Sequence, residues 1–225
     1  MDDTAEHRWI LLDLDDTLVD TRDSCYRASS AAARELGLPV LTERAFHEVY
    51  GRLEFPECVA AWFGDGHFNE FNQAYLRNVR YIPVGDIRGL LAKVRRTRLR
   101  VGVVTNSSPD EVNRKLHDID VPLSLFDFVV TPVDLQIPKP DSRAFTSVLE
   151  KFRISPAHAL YVSDHPADGR GSRAAGMAFA AVLTGIWTAA DFRADGIEQH
   201  HIFATVHDAV GPLLVAHADP VGFQN

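Results

Sequence analysis

Four short clusters of polar residues carry the groups that could do chemistry in this chain. The first is Asp13-Leu14-Asp15-Asp16-Thr17. In extended chain alternate side chains share a face, so Asp13 and Asp15 can point to one side while Leu14 points away. Two carboxylates forced together repel unless a cation joins them. The second cluster, Val104-Thr105-Asn106-Ser107, offers a hydroxyl and an amide that can donate hydrogen bonds to phosphate oxygens. The third, Ile137-Pro138-Lys139-Pro140-Asp141, holds a lysine between two prolines. That segment is stiff, cannot join a helix, and presents its cation at a fixed point. The fourth, Val162-Ser163-Asp164-His165-Pro166-Ala167-Asp168, adds two carboxylates suited to a hard cation. Each cluster alone also reads as a polar turn or a surface lysine; their combination points to a site.

Elements able to position these groups are visible as periodicity. Trp9-Ile10-Leu11-Leu12, Val101-Gly102-Val103-Val104, Phe128-Val129-Val130, Ala159-Leu160-Tyr161-Val162 and Ala178-Phe179-Ala180-Ala181-Val182 are short, continuous apolar runs. Such runs predict parallel strands buried on both faces. Ser108-Pro109-Asp110-Glu111 carries a helix start, with Ser108 capping, Pro109 in the first turn and Glu111 completing a capping box. Alternation of strand and helix from Asp86 onward predicts a doubly wound, Rossmann-like α/β core with a parallel sheet, whose ligands bind at the carboxyl ends of the strands.

From Arg22 to Pro83 no strand-like run interrupts the chain. Ser24 to Leu36 is alanine-rich and stops at Gly37 and Pro39, Thr42 precedes a further helix, and Phe68 to Tyr81 is amphipathic. The expected division is a core of residues 1–21 and 84–225 and an all-helical insertion of residues 22–83; the alternative is that these helices cover the sheet. The tail from His217 to Asn225 has no periodicity and is expected to fray.

Composition sets outer bounds. The 225 residues carry a net charge of −8, so no basic field attracts nucleic acid, and 46% are hydrophobic, enough to bury a sizeable core. Cys25 and Cys58 are too few for a disulfide framework, which fits a reducing cytoplasm. The first residues are acidic where a secretion signal is basic, and no apolar run approaches the roughly 20 residues that span a bilayer. A soluble cytoplasmic protein without membrane partners, monomeric or homodimeric, is expected. His200, His201 and His207 lack a fixed metal-ligand spacing. Arg52, beside the flexible Gly51, could reach an anionic group of a substrate or stand as a solvated surface charge.

In order and content the four clusters resemble the signature motifs of the haloacid dehalogenase superfamily: DxDxT, an apolar strand ending in Thr or Ser, a lysine, and an acidic pair. The resemblance covers nearly the whole chain, and the helical stretch matches the family's inserted cap domain. It implies a magnesium-dependent phosphatase acting on a small phosphorylated metabolite. Asp13 would be the nucleophile that becomes phosphorylated, Asp15 the general acid and base, and Lys139 the charge-neutralising cation. Thr105 and Asn106 would hold the transferring group's oxygens. Mg2+ would be held by Asp13, Asp164 and the backbone carbonyl of Asp15, with Asp168 orienting its waters or Lys139. The family's dehalogenases lack the second aspartate, since a halide leaves without a proton, so Asp15 favours phosphoryl chemistry. A phosphomutase and a non-catalytic phospholigand- or partner-binding descendant are the alternatives. Two departures stand out: Ser163 replaces a frequent Gly, and Ala167-Asp168 replaces a frequent Asn-Asp. They leave the acidic positions in place and alter the loop's hydrogen bonding.

Overall fold

The computed structural model describes residues 8–135 and 137–217 and divides into two compact units, residues 1–19 with 83–225 and residues 20–82. The expected fraying beyond His217 lies outside the described residues.

In chain order the larger unit begins with β1 (Trp9–Leu12), and the chain leaves it through β2 (Val19–Asp20). The smaller unit contains α1 (Thr21–Glu35), α2 (Glu43–Val49), α3 (Phe55–Phe63) and α4 (Phe68–Asn78), and β3 (Ile82–Pro83) leads out of it. There follow α5 (Ile87–Val94), β4 (Arg100–Val104), α6 (Pro109–Asp118), β5 (Phe128–Val130), α7 (Ser142–Phe152), β6 (Ala159–Ser163), α8 (Pro166–Ala174), β7 (Ala178–Val182), α9 (Ala189–Ala194), β8 (Ile202–Phe203) and α10 (Val206–Ala216).

Six strands form one sheet in the order β5-β4-β1-β6-β7-β8, each neighbouring pair parallel. Strand order reverses about β1, the switch point beside which doubly wound sheets bind ligands. The reason for the continuous apolar runs is visible in β1, where Ile10, Leu11 and Leu12 are all buried although they alternate between the faces. One face packs Leu11, Val104, Tyr161 and Phe179 against Phe145, Val148 and Phe192 from α7 and α9. Burying each such side chain contributes about 1.5–3 kcal/mol.

The helical unit has its own aromatic core. Phe46 stacks on Tyr50 and Trp62 at 4.5 and 5.2 Å, and the Cys25 thiol lies 2.9 Å from the Tyr75 hydroxyl. Both cysteines are buried and unpaired by disulfide. Helix α4 stops at Asn78, short of the amphipathic stretch's end at Tyr81, with Val79 already extended and its N–H closing the last turn on the Tyr75 carbonyl. Helix α3 had no separate periodic signal; Glu54 and Glu57 close a capping box at its start. Among the described residues no helix is long and apolar enough to cross a membrane.

Candidate active site

Three of the four clusters begin where a central strand of the sheet ends. Asp13 follows β1, Thr105 follows β4 and Asp164 follows β6. Backbone pairing continues one residue beyond the strands, since Asp13 N–H donates to Val162 O at 2.9 Å and Thr105 N–H to Val130 O at 3.1 Å. Asp16 then turns the chain in a left-handed conformation, φ 49°, which aspartate tolerates better than most residues.

Lys139 is the hub. Its buried ammonium lies 2.8 Å from Asp13 Oδ1 and 2.7 Å from Asp168 Oδ2, and donates to the Tyr161 hydroxyl at 2.8 Å. Burial opposes the charge, but Asp13 and Asp168 together outweigh it and hold the ammonium above the ordinary lysine value. The Lys139 backbone is gripped on both sides by one side chain: Asn106 Nδ2 donates to its carbonyl at 2.9 Å, and Asn106 Oδ1 accepts from its N–H at 3.1 Å. Helix α8 closes on the same segment. A Cβ at Gly171 would lie 2.1 Å from the Pro140 carbonyl oxygen, so only glycine lets the helix come this close.

The carboxylates crowd around this hub. Asp13 is pushed up from 3.8 to about 6, first by burial and then by Asp168 and Asp15, with Lys139 opposing. Asp164 is raised well above the ordinary value by burial, then by the charges of Asp13 and Asp16. Gly185 leaves room for the Asp164 carboxylate, because a Cβ there would sit 1.9 Å from Asp164 Oδ2. Asp168, in the first turn of α8, accepts from Ser163 Oγ at 3.2 Å and lies 3.2 Å from the Tyr161 hydroxyl. Ser163 also reaches Asp13 Oδ2 at 3.4 Å, so the residue that departs from the family pattern links two site carboxylates.

Because the folded state binds the Asp13 proton more tightly than the unfolded chain, this group contributes stability that is full below pH 3.8 and is lost as pH rises through about 6. In chelator, wild type should therefore lose about 2 kcal/mol relative to Asp13→Asn between roughly pH 4.5 and 7.5. Denaturant titrations of both proteins at the two pH values check this. Parallel pH dependences would show that Asp13 titrates normally.

Other expected residues sit differently. The Asp15 carboxylate is gripped by Lys115 Nζ at 2.6 Å and Ser107 Oγ at 2.7 Å. The Thr105 hydroxyl accepts from Ser107 N–H at 3.0 Å. Arg52 lies in the helical unit, exposed on the turn after α2. His200 and His201 stack on each other at 4.0 Å, while the His207 ring meets the Val84 carbonyl.

Tyr161 and Lys115 were missed from sequence, and each left a trace. A phenol in a fully buried strand needs a polar partner. Lysine at 115 falls on the apolar stripe of α6, between Val112 and Leu116.

A divalent cation would find two suitable groups, since Asp13 and Asp164 are buried carboxylates and the charge of Asp13 raises the proton affinity of Asp164. Among the described residues no three His, Cys, Asp or Glu side chains gather as a metal-binding group, so an ion here would need backbone carbonyl and water to complete its shell.

Comparison with known proteins supplies a family and a fold. A phosphoserine phosphatase from Thermus thermophilus is 28% identical over 217 residues, covering 75% of this chain and 85% of its own. A glyceraldehyde 3-phosphate phosphatase from Pyrococcus abyssi is 29% identical over 179 residues, 69% of this chain and 72% of that one. The crystal structure of a HAD family hydrolase from Deinococcus radiodurans R1, with bound phosphate and sodium, shares the fold with a TM-score of 0.76 at 18% identity, over 94% of this chain and 97% of that one. The haloacid dehalogenase-like hydrolase pattern itself runs through residues 10–182, from β1 to the end of β7, and the chain belongs to that family.

Proposed function

We infer that the protein is a phosphatase that hydrolyses a small phosphomonoester through a phosphorylated Asp13. The observation that carries this is the buried Asp13 carboxylate held against Lys139 at the carboxyl edge of the sheet, in a chain whose relatives include phosphatases. Asp13 attacks phosphorus as the ester P–O bond breaks, and the departing alcohol oxygen takes its proton from Asp15. Asp15 then takes a proton from water, whose oxygen displaces Asp13 and releases inorganic phosphate. Lys139 offsets the repulsion between a carboxylate and an anionic ester. The Thr105 hydroxyl keeps its own proton for a phosphate oxygen, because it accepts from Ser107. Asn106, bound to the Lys139 backbone, serves by holding that loop. Asp168 orients Lys139. Mg2+, held by Asp13, Asp164 and the carbonyl of Asp15, would supply the remaining charge neutralisation. The helical unit acts as the cap that sets specificity, with Arg52 as its candidate for an anionic group of the substrate.

The test is phosphate release from a panel of phosphorylated metabolites, in magnesium, in excess chelator, and after magnesium is restored. Stoichiometric inorganic phosphate, lost in chelator and regained on restoration, is expected. Full activity in chelator would remove the metal from the mechanism. An isomeric ester with negligible free phosphate would replace the phosphatase with a phosphomutase, and tight ligand binding without turnover would leave a binding protein.

A further inference from the structure

Lys115 is an unusual occupant of its helix. It lies on the buried stripe of α6, where Val112 and Leu116 flank it, and its side chain is only 5% exposed. An ammonium in such surroundings is costly unless its donors are used. Here two of them converge on Asp15, one directly and one through Ser107. Lys115 Nζ meets Asp15 Oδ1 at 2.6 Å and donates to Ser107 Oγ at 2.8 Å. Ser107 Oγ in turn donates to Asp15 Oδ2 at 2.7 Å. Each carboxylate oxygen has its own donor, and the two donors are bonded to each other, so rotation of the Asp15 carboxyl breaks at least one contact. Ser107 N–H also bonds the Thr105 hydroxyl at 3.0 Å, which ties this ring to the residue read as a phosphate ligand.

We propose that Lys115, directly and through Ser107, is a positioning residue that fixes the orientation of the Asp15 carboxyl for proton transfer. This rests on the reading of Asp15 as general acid and base. Lys115 itself touches neither the ester nor Asp13 in that scheme, so it governs turnover and not substrate affinity.

An alkyl phosphate needs a proton on its leaving oxygen, whereas p-nitrophenolate departs without one. The experiment compares wild type, Lys115→Met, Lys115→Arg and Ser107→Ala, with magnesium, on glycerol 3-phosphate and on p-nitrophenyl phosphate. For Lys115→Met, kcat on the alkyl ester should fall roughly 100-fold, the low end of what a positioned acid–base group supplies, with KM within about twofold. The pre-steady-state burst of p-nitrophenol should change no more than about threefold, since that step needs no acid. Lys115→Arg should recover most of the alkyl activity. Ser107→Ala, a milder change that keeps the fold if Lys115→Met does not, should show the same selective loss at roughly tenfold. A p-nitrophenol burst rate that falls as far as the alkyl-ester kcat, a rise in KM in place of the fall in kcat, or no loss at all would make Lys115 a structural anchor and overturn the proposal. Wild-type protein inactive on both esters would instead remove the phosphatase reading, and this proposal with it.

Discussion

Asp13→Asn should reduce phosphatase turnover by at least about 10^4-fold while leaving the fold intact, because the amide keeps the shape of the nucleophile without its charge. Asp13 is buried between the β1 end and Lys139, and Asn can still receive the Lys139 and Leu14 N–H contacts at its oxygen. Steady-state kcat together with intact-mass analysis of acid-quenched protein checks this. Wild type should carry one phosphoryl group, lost when Asp13 is replaced. A fully active Asn variant, shown by mass not to have deamidated, would exclude covalent catalysis by this residue.

Lys139→Met should cost activity and stability together. The methionine fills the space but leaves Asp13 and Asp168 buried at 8% and 5% exposure without their shared cation. Breaking a buried ion pair from one side destabilises by about 3–5 kcal/mol, and loss of the cation facing the phosphoryl group should lower kcat by roughly 10^3-fold. Chemical denaturation and steady-state kinetics on the same samples measure both. Adding Asp168→Asn removes one of the stranded charges, so the double variant should regain part of the stability and none of the activity. Recovery of activity in the double variant would mean that Lys139 acts only through Asp168.

The partial independence of those two losses reflects how the site is built. Lys139 sits where the Asn106 amide, the Pro140–Gly171 contact and the Asp168 helix end all meet it, so several contacts share in placing it. Ser163 adds to this set of contacts. Its hydroxyl becomes one more donor among carboxylates that need donors.

How much of this was legible beforehand differs by length scale. Local periodicity marked five of the six strands described in the main sheet and missed β8, whose two residues are too short to form a run: an unbroken apolar run of four or five residues can satisfy a sheet covered on both faces and little else, as β1 and β6 show. The Ser108–Glu111 capping box was equally readable, since its partners are three residues apart. So was the placing of Asp13, Thr105 and Asp164 at strand ends, because each directly follows its run. Local pattern carries no information about which distant group a side chain will meet. Asp15 and Lys115 are 100 residues apart, Lys139 and Asn106 33, Lys139 and Tyr161 22. Those pairings exist only because the parallel sheet brings the ends of β1, β4 and β6 side by side and lays α6 and α8 against them. Local pattern marked Asp13, Asp15, Lys139, Asp164 and Asp168 but not Lys115; which charge faces which is settled only in the folded chain, because burial strengthens every pairing and makes every unpaired group expensive.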